Sequence, residues 1–165
     1  VRLEYKGEVW VVSGDYKLAN DHVSTPFEPV KCHHFISEST FGLPIFKWRP
    51  QQFIFDDINN WWKRNAANNI TSVIGGYSLG KTQRILANID PSIGPVFTHG
   101  AVENILDIYR NTGYKFHNTT VVNPSLPKDI YKKGLIITTP SSLASSWMRK
   151  FEPYETAVAS GWMTL

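Results

Sequence analysis

The sequence has one cysteine, no long apolar run and no block of like charges, and each shortage excludes a class of protein. Cys32 is the single cysteine among 165 residues, so neither a disulfide framework nor a cysteine-built zinc site can form within the chain. No run of about 18 apolar residues could cross a membrane, and no secretory signal is visible at the start. We expect Cys32 to be a buried small hydrophobe and the protein to be cytoplasmic.

The composition that is present is that of a folded domain with a mildly basic surface. Hydrophobic residues make up 42% of the chain and charged residues 19%, with a net charge of +3. This is enough apolar material for a core and excludes general disorder. The positive balance permits a polyanionic partner such as nucleic acid without requiring one.

Hydrophobic periodicity divides the chain into two kinds of structure. Alternating residues before and after Lys6-Gly7 predict a hairpin over residues 1–12. From residue 70 onward, strand-like runs alternate with helical ones, which is typical of a parallel sheet covered by helices. We therefore predict an α/β fold, with a mostly parallel sheet flanked by helices and a short antiparallel β segment at the N-terminus.

The individual predicted elements follow from the same patterns. Strands are expected at residues 31–37, 71–74, 95–98, 119–122, 135–138 and 156–160. Helices are expected at residues 51–65, from a glycine-rich turn after residue 74 to about residue 89, and from about residue 102 to near residue 113. Thr139 and Pro140 predict the start of a further helix, with Thr139 as its N-cap.

A glycine-rich segment between a predicted strand and a predicted helix matches a phosphate-binding pattern. Residues 75–82 read GGYSLGKT, which satisfies G-x-x-x-x-G-K-[ST]. In a P-loop, Gly80 and Lys81 would contact phosphate and Thr82 would bind Mg²⁺. Against this, about 70 residues precede the segment, and the later strands end without the aspartate that holds Mg²⁺. The alternative, which we prefer, is a tight strand-to-helix turn.

Three stretches in this order resemble one protein family. They are VVSGDYK at residues 11–17, FISESTFG at 35–42 and YSLGKTQR at 77–84. Together they are similar to the β-CASP branch of the metallo-β-lactamase superfamily, and within it to ligase-associated DNA exonucleases and mRNA 3′-end-processing exonucleases. The resemblance covers nearly the whole chain. It implies that residues 1–45 are the end of a metallo-β-lactamase-like domain and residues 46–165 an incomplete β-CASP-like α/β domain.

The resemblance assigns roles to two carboxylates. Asp15 matches the aspartate that bridges two zinc ions in the family, and Glu38 matches a catalytic-site acid that orients a histidine near the scissile phosphate. The alternatives are a turn aspartate that caps its own loop and a strand-end glutamate paired with a base. Both carboxylates follow predicted strands, and we expect them to converge on one cleft.

The metal site that the family requires is incomplete here. A His-x-His-x-Asp-His run before Asp15 and two later histidines are missing, and none of the five histidines has a metal-ligand spacing. They are His22, His33, His34, His99 and His117. We expect an excised part of a zinc-dependent exonuclease that, alone, neither holds the two zinc ions nor cuts nucleic acid.

Four cations are candidate contacts for a single strand of DNA or RNA. Lys81, Arg84, Arg49 and Lys47 would bind phosphate, and Trp48 could stack on a base. The alternative is solvated surface charge, with Trp48 in a core or lid. The resemblance also implies association with a DNA ligase or helicase, in DNA repair or RNA processing. Competing classes are a non-catalytic nucleic-acid-binding or assembly module and a P-loop-like nucleotide-binding domain.

Overall fold

The computed structural model describes residues 1–123 and 125–158, and their contacts divide into two compact units. The N-terminal unit contains residues 1–48, and the C-terminal unit begins at Arg49. The division falls three residues after the predicted boundary at residue 45. None of the helices in these two stretches is both long enough and apolar enough to span a bilayer.

The N-terminal unit is built on a three-stranded mixed sheet. Strands β1 (Arg2–Tyr5) and β2 (Glu8–Val12) pair antiparallel, and β3 (His34–Ile36) pairs parallel with β2. The connecting turn places Lys6 at φ 48° and Gly7 at φ 82°, the left-handed pair that suits a two-residue hairpin. The predicted hairpin is confirmed, and β3 is shorter than the predicted strand at 31–37.

The side chains of this small sheet are mostly in water. Every residue of β1 and β3 is exposed, and β2 alternates between exposed and half-buried positions. Val23, in the long loop between β2 and β3, is the buried apolar residue of the described N-terminal unit. Cys32, two residues before β3, is half-buried rather than buried as predicted, because the small sheet beside it is mostly exposed.

The C-terminal unit alternates helices and strands. Its helices are α1 (Gln51–Ala67), α2 (Lys81–Leu86), α3 (Gly100–Asn111) and α4 (Pro140–Leu143). Its strands are β4 (Thr71–Gly75), β5 (Val96–Thr98), β6 (Thr120–Val121), β7 (Leu135–Thr138) and β8 (Tyr154–Val158). Two 3₁₀ helices cover Lys128–Tyr131 and Ser146–Phe151.

The five strands form one parallel sheet in the order β6-β5-β7-β4-β8. Thus β7 lies at the centre, between β5 and β4, which both precede it in the chain. The register pairs Gly75 with Thr138, and Thr98 with Ile137, so the loops after β4, β5 and β7 leave the sheet at the same edge. The predicted α/β class with a parallel sheet and an N-terminal β segment is confirmed.

Both faces of the central strands are buried. Leu135 and Ile137 of β7 join a cluster with residues of α1, α2 and α3, while Ile136 joins a second cluster with Tyr131 and Phe151 on the opposite face. This two-sided burial explains why β4 and β7 read as continuous apolar or small runs rather than alternating ones.

One helix is shorter than the sequence indicates, and the N-cap residue of another makes different hydrogen bonds from those expected. The predicted helix to Ile89 ends at Leu86, and residues 87 and 88 form a turn that is followed by the buried Ile89. Helix α4 has four residues, and the Thr139 hydroxyl bonds the hydroxyls of Ser141 and Ser142 instead of a backbone amide. The predicted strand at 156–160 is found from Tyr154 to Val158, and residues 159 and 160 lie outside the described residues.

Candidate nucleic-acid interface

The two predicted carboxylates follow neighbouring parallel strands. Val12 and Ile36 are register partners at the carboxyl ends of β2 and β3, and the Ser13 amide donates to the Ile36 carbonyl at 2.9 Å. Asp15 lies three residues past β2 and Glu38 two residues past β3. Both are exposed and start from the same end of the small sheet. Their predicted roles stay predictions.

Aromatic packing fixes the backbone next to Asp15. The ring of Tyr16 lies 5.2 Å from the ring of Phe27 and 6.0 Å, edge-on, from that of Phe35 on β3. Such pairs are favourable beyond their buried area. The loop that carries Asp15 is therefore attached to the strand that leads to Glu38.

Glu38 is held by its own loop. Its Oε2 accepts a hydrogen bond from the Thr40 amide at 2.6 Å, and hydrogen bonds from the Thr40 hydroxyl and amide lower the pKa of Glu38. At neutral pH the group is a carboxylate and accepts protons rather than donating them. This state suits the orientation of a histidine, and it equally suits a local loop cap.

The described residues do not by themselves fit a pair of zinc ions. Within residues 1–123 and 125–158, no three His, Cys, Asp or Glu side chains are grouped so that they could hold a metal ion. Three histidines have structural partners: His33 Nδ1 accepts from the Val9 amide, His34 stacks on Trp10 at 3.9 Å, and His99 Nδ1 accepts from the Ala101 amide. The last of these caps α3, a role that the sequence did not reveal.

The glycine-rich segment forms a tight turn whose polar groups bond within the turn, to β7 and to the start of α2. The amides of Gly76, Lys81 and Thr82 donate to carbonyls of Thr138, Leu79 and Tyr77. The fully buried Thr82 hydroxyl donates to the Ser78 carbonyl at 3.0 Å, and Gln83 Nε2 donates to the same oxygen. A P-loop directs these amides and this hydroxyl to phosphate and Mg²⁺, so the geometry favours the structural turn.

Two of the four predicted cations lie side by side at the start of α2. Lys81 is partly buried, and burial followed by the nearby charge of Arg84 lowers the pKa of its ammonium. The Arg84 guanidinium lies 5.9 Å from the ring centroid of Phe55 and donates to Gln51 on α1. The two side chains thus concentrate positive charge at the edge of the sheet where the strands end.

The other two cations are arranged differently. Arg49 forms an exposed ion pair with Asp57 at 2.7 Å, which partly neutralises it. Lys47 is exposed in the N-terminal unit. Trp48 is 50% exposed and packs edge-on against Phe41 at 5.2 Å. Of the four predicted cations, Lys81 and Arg84 are the pair that the structure brings together.

A separate groove lies at the opposite edge of the five-stranded sheet. Its volume is about 490 Å³. The polar lining residues are Asn59, Asn60, Lys63, Asp90, Ser92 and Lys133. None of the predicted site residues lines it, and no pattern in the sequence indicated it.

The comparisons with known proteins relate most of this chain to a small part of a larger protein. No protein-family model matches the chain. The chain is similar to a protein named "Probable DNA ligase" from Opitutus terrae, with 28% identity over 152 residues that cover 91% of this chain. The chain spans 14% of the length of that protein. The β-CASP resemblance and the exonuclease activity stay predictions.

Proposed function

We propose that this chain is a DNA-binding part of a DNA-processing enzyme, a phosphodiesterase of the exonuclease type that acts together with DNA ligation. The observation that carries the proposal is the similarity to a probable DNA ligase over 91% of the chain. Because that stretch is a small share of the ligase-named protein, the proposal concerns one module of a larger DNA-processing system.

The charge arrangement supports DNA as the ligand. Lys81 and Arg84 place two cations next to each other at a sheet edge, and phosphate groups are the anions that such a pair would neutralise. Exposed aromatic side chains near cations are typical of surfaces that bind single strands. The proposed substrate is therefore single-stranded DNA, with RNA as the competing polymer.

DNA binding by the 165-residue chain is the first test. We expect labelled single-stranded DNA to bind the chain in a fluorescence anisotropy assay. The affinity should fall between about 50 and 200 mM salt, because each phosphate contact on a single strand releases about 0.7 of a counterion. Duplex DNA and RNA of the same sequence are the comparison ligands. An affinity independent of salt, or no binding, would contradict the proposal.

Cleavage by the complete gene product is the second test. We expect Glu38→Gln to lower single-strand degradation by about 10- to 100-fold, as for groups that orient a metal-site residue, and Asp15→Asn to lower it further. Glu28→Gln, an exposed glutamate in the same unit, is the matched control. DNA binding without any cleavage would instead support the non-catalytic module.

A further inference from the structure

The loop between β4 and α2 presents an aromatic ring and an ammonium group together. Tyr77 is 66% exposed, although tyrosine is a residue that usually buries most of its ring. The Nζ of Lys81 lies 5.9 Å from the centroid of that ring, within the range of a cation–π contact. The ring therefore keeps much of its surface in water beside a positive charge.

The backbone of the loop holds the lysine in this place. A Cβ atom at Gly76 would lie 3.4 Å from Lys81 Cγ, so the stem of Lys81 lies directly against the glycine. Gly80 has φ +79°, which lets the chain enter α2 immediately after the turn. The Lys81 side chain is thus pre-positioned, which reduces the entropy lost when a ligand binds.

The ammonium of Lys81 lacks a compensating negative charge among the described residues. No carboxylate of residues 1–123 or 125–158 forms an ion pair with it, and the charged group that acts on it is the cation Arg84. Partial burial beside a like charge disfavours the charged form. A bound anion would offset both the burial of the Lys81 ammonium and its repulsion by Arg84.

From this geometry we propose that Tyr77 and Lys81 together bind one nucleotide of single-stranded DNA, with the base stacked on Tyr77 and the adjacent phosphate paired with Lys81. The inference rests on the proposed function and specifies which residues contact the strand. A free nucleotide such as ATP offers the same base and phosphate chemistry, so the experiment includes it as a separate arm.

The two contacts have different signatures in a binding assay. With labelled oligothymidylate about 20 nucleotides long, Tyr77→Ala should weaken binding by about 5- to 100-fold at every salt concentration, because base stacking does not release counterions. Tyr77→Phe should retain the affinity within about twofold. Lys81→Gln should reduce the magnitude of the salt slope by about 0.7, the value for one phosphate contact on a single strand.

The chain contains a matched control. In the β1–β2 turn, Lys6 Nζ lies 5.2 Å from the ring of Tyr5, which is 72% exposed. That pair is flanked by Glu4 and Glu8 instead of a second cation. Tyr5→Ala and Lys6→Gln should leave both affinity and salt slope unchanged. Circular dichroism of each variant confirms that it is folded.

The outcomes separate this inference from the proposed function. Salt-dependent binding of the wild-type chain that Tyr77→Ala and Lys81→Gln leave unchanged would overturn the Tyr77–Lys81 site and leave the DNA-binding proposal intact. No binding by the wild-type chain would overturn both. Displacement of the oligonucleotide by micromolar ATP, with a rise in Tm, would replace the DNA site by a free-nucleotide site.

Discussion

The two units differ in where their stability originates. In the C-terminal unit, both faces of β4 and β7 are buried under helices and 3₁₀ segments. In the N-terminal unit, the strands of the small sheet are exposed and backbone pairing holds them. Since a small sheet needs a covered apolar face for independent stability, the well-packed unit carries the fold. The predicted site carboxylates, Asp15 and Glu38, lie in the weakly packed unit, and Lys81 and Arg84 lie in the well-packed one.

The largest expected effect is a loss of stability on substitution of a tryptophan in the C-terminal unit, compared with one in the N-terminal unit. Trp62 has no exposed surface, and its indole Nε1 donates to the Lys133 carbonyl at 2.9 Å. We expect Trp62→Ala to lower the free energy of unfolding by about 3–5 kcal/mol. Trp10→Ala, in the N-terminal unit, should lower it by about 1 kcal/mol or less. Urea denaturation measures both, and equal losses would show that the two units are equally packed.

The next effect concerns a polar network within the C-terminal unit. Glu103 on α3 accepts hydrogen bonds from Thr98 at 2.5 Å and from Arg110 at 2.6 Å. Because Arg110 stays one-third exposed, we expect Glu103→Gln to reduce stability by about 1–2 kcal/mol at neutral pH. Asp107→Asn is the control, since its exposed pairing with the same arginine should matter less.

The Glu103 effect should depend on pH. Burial alone would raise the pKa of Glu103, but hydrogen bonds from Thr98, Arg110 and Thr119 and the charge of Arg110 together lower it. A lowered folded pKa means that the stabilisation is present above the unfolded value of 4.5 and is lost as the pH falls through the folded value. The difference in unfolding free energy between wild type and Glu103→Gln, measured by urea denaturation, should therefore shrink as the pH falls below 4.5. A constant difference would contradict this account.

A smaller effect tests the glycine-rich turn. Thr82→Val removes the hydrogen bond to the Ser78 carbonyl, which still receives one from Gln83. We expect a loss of about 1 kcal/mol in unfolding free energy and full stability in Thr82→Ser. MgATP should not raise the Tm of the wild-type chain; a clear rise that Thr82→Val abolishes would favour the P-loop function.

The smallest expected effect is at Asp15. Because this side chain is exposed, Asp15→Asn should change the Tm of the 165-residue chain by no more than about 2 °C. Metal analysis after dialysis should find well under one equivalent of zinc. One or two retained equivalents would contradict the prediction that this chain alone does not hold the metal.

Local patterns predicted most of the fold. The Lys6-Gly7 turn and the helix over residues 51–65 were both predicted from sequence patterns, because hydrophobic periodicity distinguishes strands from helices. The order of the strands was not, because hydrogen bonding between β7 and its two neighbours depends on packing that no local pattern contains.

The candidate site was predictable to a smaller extent. The sequence singled out Lys81 and Arg84, but it did not indicate that Tyr77 lies beside Lys81, since that contact depends on the turn conformation. No pattern in the sequence singled out Glu103 in the first turn of α3. Its hydrogen bonds with Thr98, the last residue of β5, and with Thr119, just before β6, depend on tertiary packing that no local pattern contains.

The central position of β7 has a consequence for the order of assembly during translation. In the described chain, β4 and β5 are synthesised first but pair with β7 and not with each other. The nascent polypeptide can therefore join these two strands only after residue 138 has left the ribosome. Until then, β4 keeps an unpaired apolar edge that a chaperone, or a neighbouring nascent chain, can bind.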